Sequence, residues 1–117
     1  MNNDINNIIE FDDFLKVKIC VGTILSIEEN NKIRNPSFVL TIDFGKNIGL
    51  KKSSAQLKAN YEINNLINKQ VIAVVNFKPK QVGNIMSEAL VLGLPDDTNE
   101  PILISPDLKI TNGRQIY

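Results

Sequence analysis

A chain of 117 residues, 43% of them hydrophobic, has the length and composition of one water-soluble domain built on one core, which we predict to span residues 1–117. Thirteen basic residues balance 13 acidic ones, which argues against a protein that binds nucleic acid over its whole surface. The chain has no histidine and one cysteine, so it cannot form a Ser-His or Cys-His dyad or an internal disulfide. We therefore predict neither an enzyme nor a metal or cofactor site.

The N-terminal segment from Met1 to Glu10 has neither the basic start nor the apolar run of a signal peptide. No later segment reaches membrane-spanning length, and we predict a cytoplasmic protein without membrane insertion. The next residues predict a short helix, because Phe11, Phe14 and Leu15 recur on one face.

From Lys16 the period changes to two, which predicts the first strand. Gly22 interrupts this alternation, and we expect a β-bulge there. Cys20 is predicted to be a small, half-buried structural residue. The alternation places Val17, Ile19 and Val21 on one side and Lys16, Lys18 and Cys20 on the other.

A polar turn at residues 28–35 leads to a second alternation, which groups four apolar residues on one face: Phe38, Leu40, Ile42 and Phe44. Gly45 and Gly49 bound a tight connection to a third strand at residues 48–54, which indicates a hairpin. Residues 56–68 have helix-compatible spacing with weak helix formers, so we predict a short connecting helix.

The β-branched run at residues 70–77 and the segment at residues 87–93 predict two further strands. A proline-containing tail follows, with a turn at Asn112-Gly113. Five strands with a helix between the third and the fourth is the order of an all-β OB-fold, a Greek-key barrel that binds oligonucleotides on one face. An SH3-like barrel or a small sandwich has a similar pattern, and the pattern alone leaves both open.

Charge is unevenly distributed along the chain. Between Lys46 and Glu88 there are seven lysines and two acidic residues, whereas acidic residues cluster near the two ends. A basic surface of this kind can bind phosphates, or its lysines can simply solvate strand edges. The phenylalanines mostly fall in apolar phase, so few rings are expected to be free for base stacking, and binding of an extended single strand is not expected.

The string from Asn76 to Lys80 ends a predicted strand at Pro79, where polar side chains can project from neighbouring strand ends. Asn and Ser bind bases or backbone, and Lys binds phosphate. The alternative is that Asn76 and Ser87 satisfy loop backbone groups while Glu88 pairs with a lysine. The predicted binding site consists of seven residues: Lys51, Lys52, Asn76, Lys78, Lys80, Ser87 and Glu88.

Five strings together resemble the tRNA-binding domain family, and the match extends from Phe11 to Tyr117. This family includes the C-terminal appendage of methionyl-tRNA synthetases and the CsaA-like proteins. The strings are Val21-Gly22-Thr23-Ile24, Ile42-Asp43-Phe44-Gly45, Ser53-Ser54-Ala55-Gln56, Asn76-Phe77-Lys78-Pro79 and Ser87-Glu88-Ala89-Leu90-Val91-Leu92-Gly93.

Departures from the wider family pattern make the chain similar to the CsaA-like branch. It has Asn35-Pro36 in place of a His-Pro segment, and Ser87-Glu88-Ala89-Leu90 in place of Ser-x-Gly-Met. Lys18 and Cys20 stand where family members often carry Asp and Arg, so these two positions are left out of the predicted site.

The resemblance implies a homodimer of OB-folds, with the N-terminal segment and the C-terminal extension at the interface. It also implies two kinds of ligand: tRNA, or unfolded preproteins in an export-related chaperone role. Similarity alone would also give the chain the name of a methionyl-tRNA synthetase beta subunit. We predict a non-catalytic tRNA-binding protein, with the chaperone role as the alternative.

Overall fold

Nine strands and two short helices form the regular structure of residues 7–30 and 37–117, the part of the chain that the computed structural model describes. The strands vary from two to twelve residues in length. In chain order the elements are α1 (Phe11–Leu15), β1 (Ile19–Asn30), β2 (Ser37–Asp43), β3 (Leu50–Ala55), α2 (Ile63–Leu66), β4 (Gln70–Val74), β5 (Lys80–Val82), β6 (Ile85–Ser87), β7 (Leu90–Val91), β8 (Gly93–Pro95) and β9 (Pro101–Leu103).

The main sheet has five strands in the order β3-β2-β1-β4-β7, and all its neighbouring strands are antiparallel. The long strand β1 pairs with β4 up to Thr23 and with β2 from Thr23 onward. One strand thereby belongs to both halves of the sheet. Four successive antiparallel pairings also mean that the two edge strands, β3 and β7, run in the same direction.

The edge strand β3 meets residues 87–88, which lead into the opposite edge strand β7, along a seam. The Glu88 backbone N–H donates to the Lys52 carbonyl at 2.7 Å, and the Lys52 N–H donates to Glu88 Oε1 at 3.0 Å. Two residues further along β3, the Ser54 N–H donates to Ser87 Oγ at 3.0 Å. The seam curls the five strands into a barrel with OB-type strand order, and the predicted all-β OB-fold is confirmed.

The interior of the barrel is filled by the face predicted for the second strand. Phe38, Leu40, Ile42 and Phe44 are each at most 3% exposed. Leu66 of α2 is also fully buried and packs in the same core cluster, so this one-turn helix contributes a side chain to the interior of the barrel. Burying each of these side chains contributes about 1.5–3 kcal/mol, so the apolar face of β2 makes a large contribution to the stability of the core.

The bulge predicted at Gly22 was wrong. The register between β1 and β2 shifts between Ile24 and Ser26, so the extra residue is Leu25. Gly22 has a different role: a Cβ built there would lie 2.6 Å from Ile42 Cγ2 and 2.7 Å from the Phe44 ring. The glycine allows the core to pack directly against the β1 backbone.

The half-buried position predicted for Cys20 was also wrong, because this residue is 3% exposed and belongs to the core. Val21 is buried as well, because the C-terminal tail covers the other side of β1. The Val21 N–H donates to the Arg114 carbonyl at 3.0 Å, and the Gly113 N–H donates to the Val21 carbonyl at 2.8 Å. Burial raises the pKa of the Cys20 thiol, against a smaller opposing effect of the Lys18 charge.

Several strand and helix boundaries in the structure differ from the predicted ones. The third strand begins at residue 50, the helix within 56–68 is only Ile63–Leu66, and the strand at 70–77 ends at Val74. The segment at 87–93 is divided among β6, β7 and β8. Part of the polar turn at 28–35 is the end of β1, while the remainder, together with Asn35-Pro36, lies outside the described residues.

The predicted turn at Asn112-Gly113 is confirmed, and its glycine has a positive φ of 91°. A Cβ at Gly113 would lie 2.5 Å from the Phe44 carbonyl oxygen, so the tail and the β2–β3 turn are in backbone contact. Within residues 7–30 and 37–117, no helix is long and apolar enough to cross a membrane.

Candidate functional site

An open groove with a volume of about 370 Å³ lies beside the seam of the barrel. We call it the basic groove. Its lining comes from the segment between β4 and the start of β5 and from the segment between the end of β6 and the start of β7. Its lining residues are Phe77, Lys78, Lys80, Ser87, Glu88, Ala89 and Leu90. Four of the seven predicted site residues are thus brought together: Lys78, Lys80, Ser87 and Glu88.

The β5–β6 hairpin sets the position of Lys80, which lies directly opposite Ser87 in the ladder. Gly83, with a φ of 60°, permits the tight turn between the two strands. Asn84 in this turn accepts a hydrogen bond from Asn30 Nδ2 at 3.0 Å. The hairpin is therefore tied at its tip to the end of β1.

Ser87 and Glu88 satisfy backbone groups of β3, and both side chains are half-buried. Glu88 bonds the backbone of Lys52 and makes no ion pair with a lysine in residues 7–30 and 37–117. One carboxylate oxygen of Glu88 has this bond, and the carboxylate also lines the basic groove. The two residues therefore combine a structural contact at the seam with a position at the site.

Asn76 has both ends of its amide engaged. Its Oδ1 accepts the Lys18 N–H at 2.9 Å, and its Nδ2 donates to the Lys16 carbonyl at 2.8 Å. It adjoins the basic groove through Phe77 and does not line it. This arrangement matches the alternative in which Asn76 satisfies backbone groups, and it connects the groove to the segment that follows α1.

Lys51 and Lys52 do not share a face, because successive side chains of a strand point to opposite sides. Lys51 pairs with Ile42 in the ladder and is half-buried, whereas Lys52 pairs with Thr41 and is exposed. Neither lysine lines the groove, and Lys52 is connected to it through its backbone bonds with Glu88.

Sequence reasoning missed Phe77 and Leu90, which are 54% and 50% exposed and line the basic groove. Phe77 was expected to lie on the apolar face of a strand at residues 70–77. Because β4 ends at Val74, the ring no longer follows the phase of the strand. The signals available in the sequence were Asn76 and Pro79 on either side of Phe77 and Lys78, since Asn and Pro are both depleted in strands.

The cations of the basic groove form no ion pair within the described residues, although the Glu88 carboxylate lines the same groove. The ion pairs among those residues join Lys16 to Asp13 at 3.4 Å and Lys58 to Glu29 at 3.7 Å, and neither pair includes Lys78 or Lys80. The same part of the chain contains no group of three or more His, Cys, Asp or Glu side chains suited to hold a metal ion. The groove thus offers two exposed ammonium groups, one aromatic ring and hydrogen-bonding side chains.

A small barrel of OB type with an open groove of this composition belongs to the class of OB-fold binding proteins. Residues 19–115 match the family described as "Putative tRNA binding domain". The chain belongs to this tRNA-binding domain family, and the resemblance seen in the sequence is confirmed.

Two solved structures closely resemble the chain. The chaperone CsaA from Bacillus anthracis str. Ames is 40% identical, with a TM-score of 0.86 over 94% of this chain and 99% of that one. The CsaA chaperone protein from Picrophilus torridus is 43% identical, with the same TM-score, over 94% of this chain and 100% of that one. The match therefore covers nearly the whole length of both CsaA chains.

Methionine--tRNA ligases also match the chain. The ligase of Pyrococcus horikoshii is 29% identical over 108 residues, which are 92% of this chain and 14% of the ligase. That of Methanococcoides burtonii is 32% identical over 111 residues, 95% of this chain and 16% of the ligase. The chain spans only about one seventh of the length of these relatives, in the region of a binding domain.

Proposed function

We propose that this protein binds tRNA through the basic groove and has no catalytic activity of its own. The observation that carries the proposal is the pair of exposed lysines, Lys78 and Lys80, beside the seam of an OB-type barrel in a chain of the tRNA-binding domain family. Neither ammonium group forms an ion pair in the described part of the chain. Both are therefore available to pair with the phosphates of a nucleic acid backbone.

The balanced net charge makes the position of these lysines important. A chain with a formal net charge of zero has no general attraction for a polyanion. Binding must then come from a local excess of cations, and each phosphate contact releases counterions from the RNA. We expect the affinity for tRNA to fall steeply as salt rises, with a slope that counts the lysines in contact.

The test is a titration of the protein with total tRNA at several salt concentrations. We expect Lys78→Ala and Lys80→Ala each to reduce the slope of log K against log salt by roughly one unit, with an affinity loss of about 1 kcal/mol or less at physiological salt. Lys109→Ala is the matched control, because it removes the same charge from an exposed position outside the groove. If all three variants bind tRNA alike, the proposal fails.

A chaperone role is the second candidate, and the identity of 40–43% to CsaA chaperones favours it. The tail offers a second, more apolar depression of about 550 Å³, lined by residues that include Val21, Ile72, Ile110, Ile116 and Tyr117. An unfolded preprotein bound there by burial of apolar groups would be held with little dependence on salt. Titration with an unfolded preprotein at low and high salt separates this role from the binding of tRNA.

Assembly into a homodimer is part of the proposal. Phe11 and Leu15 of the N-terminal segment are 69% and 42% exposed, and Ile102 of the tail is 41% exposed. One barrel leaves these apolar side chains in water, and a two-fold interface would cover them. Sedimentation equilibrium at micromolar concentration tests this, since a monomer there contradicts it. Location in the cytoplasm remains a prediction.

A further inference from the structure

The basic groove presents the aromatic ring of Phe77 on a segment whose backbone is restrained on both sides of this residue. Asn76 precedes Phe77 and is held by two hydrogen bonds, to Lys16 and Lys18. Pro79 follows two residues later and restricts its own φ. The ring, 54% exposed, is therefore presented by an ordered segment. This order reduces the conformational entropy that the protein loses when a ligand stacks on the ring.

The groove around this ring has apolar surface suited to a base and positive charge suited to a phosphate. Ala89 and Leu90 add apolar surface to the same groove, while Lys78 and Lys80 add two ammonium groups that form no ion pair within the described residues. A base offers an apolar π-face to a ring, and its phosphate offers an anion to lysine. A groove of about 370 Å³ is close to the lower end of the range for small-ligand sites, which suits one nucleotide.

Glu88 sets an orientation within the groove. Its carboxylate repels a phosphate, and it accepts hydrogen bonds from N–H groups such as those on base edges. Because one oxygen of Glu88 is already bonded to the Lys52 N–H, the carboxylate is held in place. The phosphate is thus directed to the lysines and the base to Phe77 and Glu88.

We infer that Phe77 is a stacking platform for a single unpaired base, so that the groove selects an unpaired nucleotide of RNA over paired ones. This inference rests on the proposed function. Bases inside a duplex have both faces covered by their neighbours, and they cannot stack on a protein ring without leaving the helix. Phe77 is the one aromatic residue among the described residues that line the groove, so the platform takes one base and not an extended strand.

The experiment compares a single-stranded oligoribonucleotide with the blunt duplex that it forms with its complement. We expect Phe77→Ala to weaken single-strand binding about tenfold, with the salt slope unchanged, because stacking is lost and no charge is removed. Duplex binding should stay within twofold of the parent. The side chain is exposed, and an unchanged urea unfolding curve for the variant verifies that it is folded.

A second variant gives a direct signal. The chain has no tryptophan, so Phe77→Trp introduces a single indole at the platform. We expect its fluorescence to be quenched by the single strand and not by the duplex, with affinity for the single strand retained. Phe11→Trp is the matched control: Phe11 is 69% exposed and does not line the groove, so its signal should not change.

The results separate the inference from the proposed function. If Lys78→Ala weakens tRNA binding while Phe77→Ala binds both RNAs like the parent, the platform is overturned and tRNA binding stands. If the lysine variants also bind tRNA like the parent, both are overturned. If Phe77→Ala loses only the binding of an unfolded peptide, the groove is a peptide site and the inference is again overturned.

Discussion

Glu88 and Lys52 exchange two hydrogen bonds across the seam of the barrel. The carboxylate accepts the Lys52 N–H at 3.0 Å, and the Glu88 N–H donates to the Lys52 carbonyl at 2.7 Å. A residue that lines the candidate site therefore also holds the edge of β3 against the chain that leads into β7. The proposed binding and the closure of the barrel would share this residue, so variants at the site have to be assessed for stability as well as for affinity.

Replacing Glu88 tests the contribution of the seam. We expect Glu88→Ala to lower the free energy of unfolding by about 1 kcal/mol, because the Lys52 N–H loses its partner. Glu88→Gln keeps an oxygen acceptor and should retain most of the stability. Urea unfolding measures both, with Glu28→Ala as the control at an exposed carboxylate of β1. Equal stability of Glu88→Ala and the parent would contradict a role in closure.

Asn76 provides the second prediction, which concerns the N-terminal segment. Asn76→Ala removes the bonds to Lys16 and Lys18, and we expect faster amide hydrogen exchange at residues 16–18 together with a stability loss of about 1 kcal/mol. The tRNA salt slope should not change, because no charge is lost. Asn76→Asp should recover protection of the Lys18 amide only, since it keeps the acceptor and lacks the donor. Parent-like exchange in Asn76→Ala would show that the segment is held by other contacts.

Gly22 allows the core to reach the backbone of β1. We expect Gly22→Ala to destabilise the fold by about 1–3 kcal/mol, because the new methyl group would overlap Ile42 and the Phe44 ring. Gly49→Ala is the comparison: nothing lies within 4 Å of a Cβ there, and only its φ of 87° is unfavourable. Thermal unfolding should rank Gly22→Ala below Gly49→Ala, and the reverse order would contradict close packing at Gly22.

Asp96 makes the β8–β9 hairpin sensitive to acid. Its carboxylate accepts hydrogen bonds from Asn60, Thr98 and Glu100. These bonds, the one from the Asn60 side chain foremost, hold the pKa of Asp96 well below its usual range. Because the folded state has the lower pKa, this contribution to stability is present above the unfolded pKa of about 4 and is lost as pH falls below it.

Asp96→Asn keeps an oxygen acceptor and cannot be protonated in this way. We therefore expect the difference in unfolding free energy between neutral pH and about pH 3 to be smaller in Asp96→Asn than in the parent. Asp97→Asn is the control, since Asp97 is exposed and makes no hydrogen bond or ion pair in the described structure. A parent-like acid response in Asp96→Asn would show that other groups are responsible.

The sequence by itself determined the order of the main elements and the buried face of the second strand. Alternation from Phe38 to Phe44 makes one face wholly apolar, with Val39 the single apolar residue on the other face, and Gly45 and Gly49 permit the backbone to turn back. The strings around Asn76 and Ser87 also carried enough information to indicate the family. These features are local, because each depends on the period and type of residues close together in the chain.

Tertiary structure alone decided which side of β1 is buried, where β4 ends and which site residues meet. Cys20 and Val21 are both buried because the barrel covers one side of β1 and the C-terminal tail covers the other, a contact between residues about 90 positions apart. Phe77 is exposed because Val74 is the last residue of β4. The groove exists because the seam brings Glu88 to Lys52, and no pattern within either segment specifies that pairing.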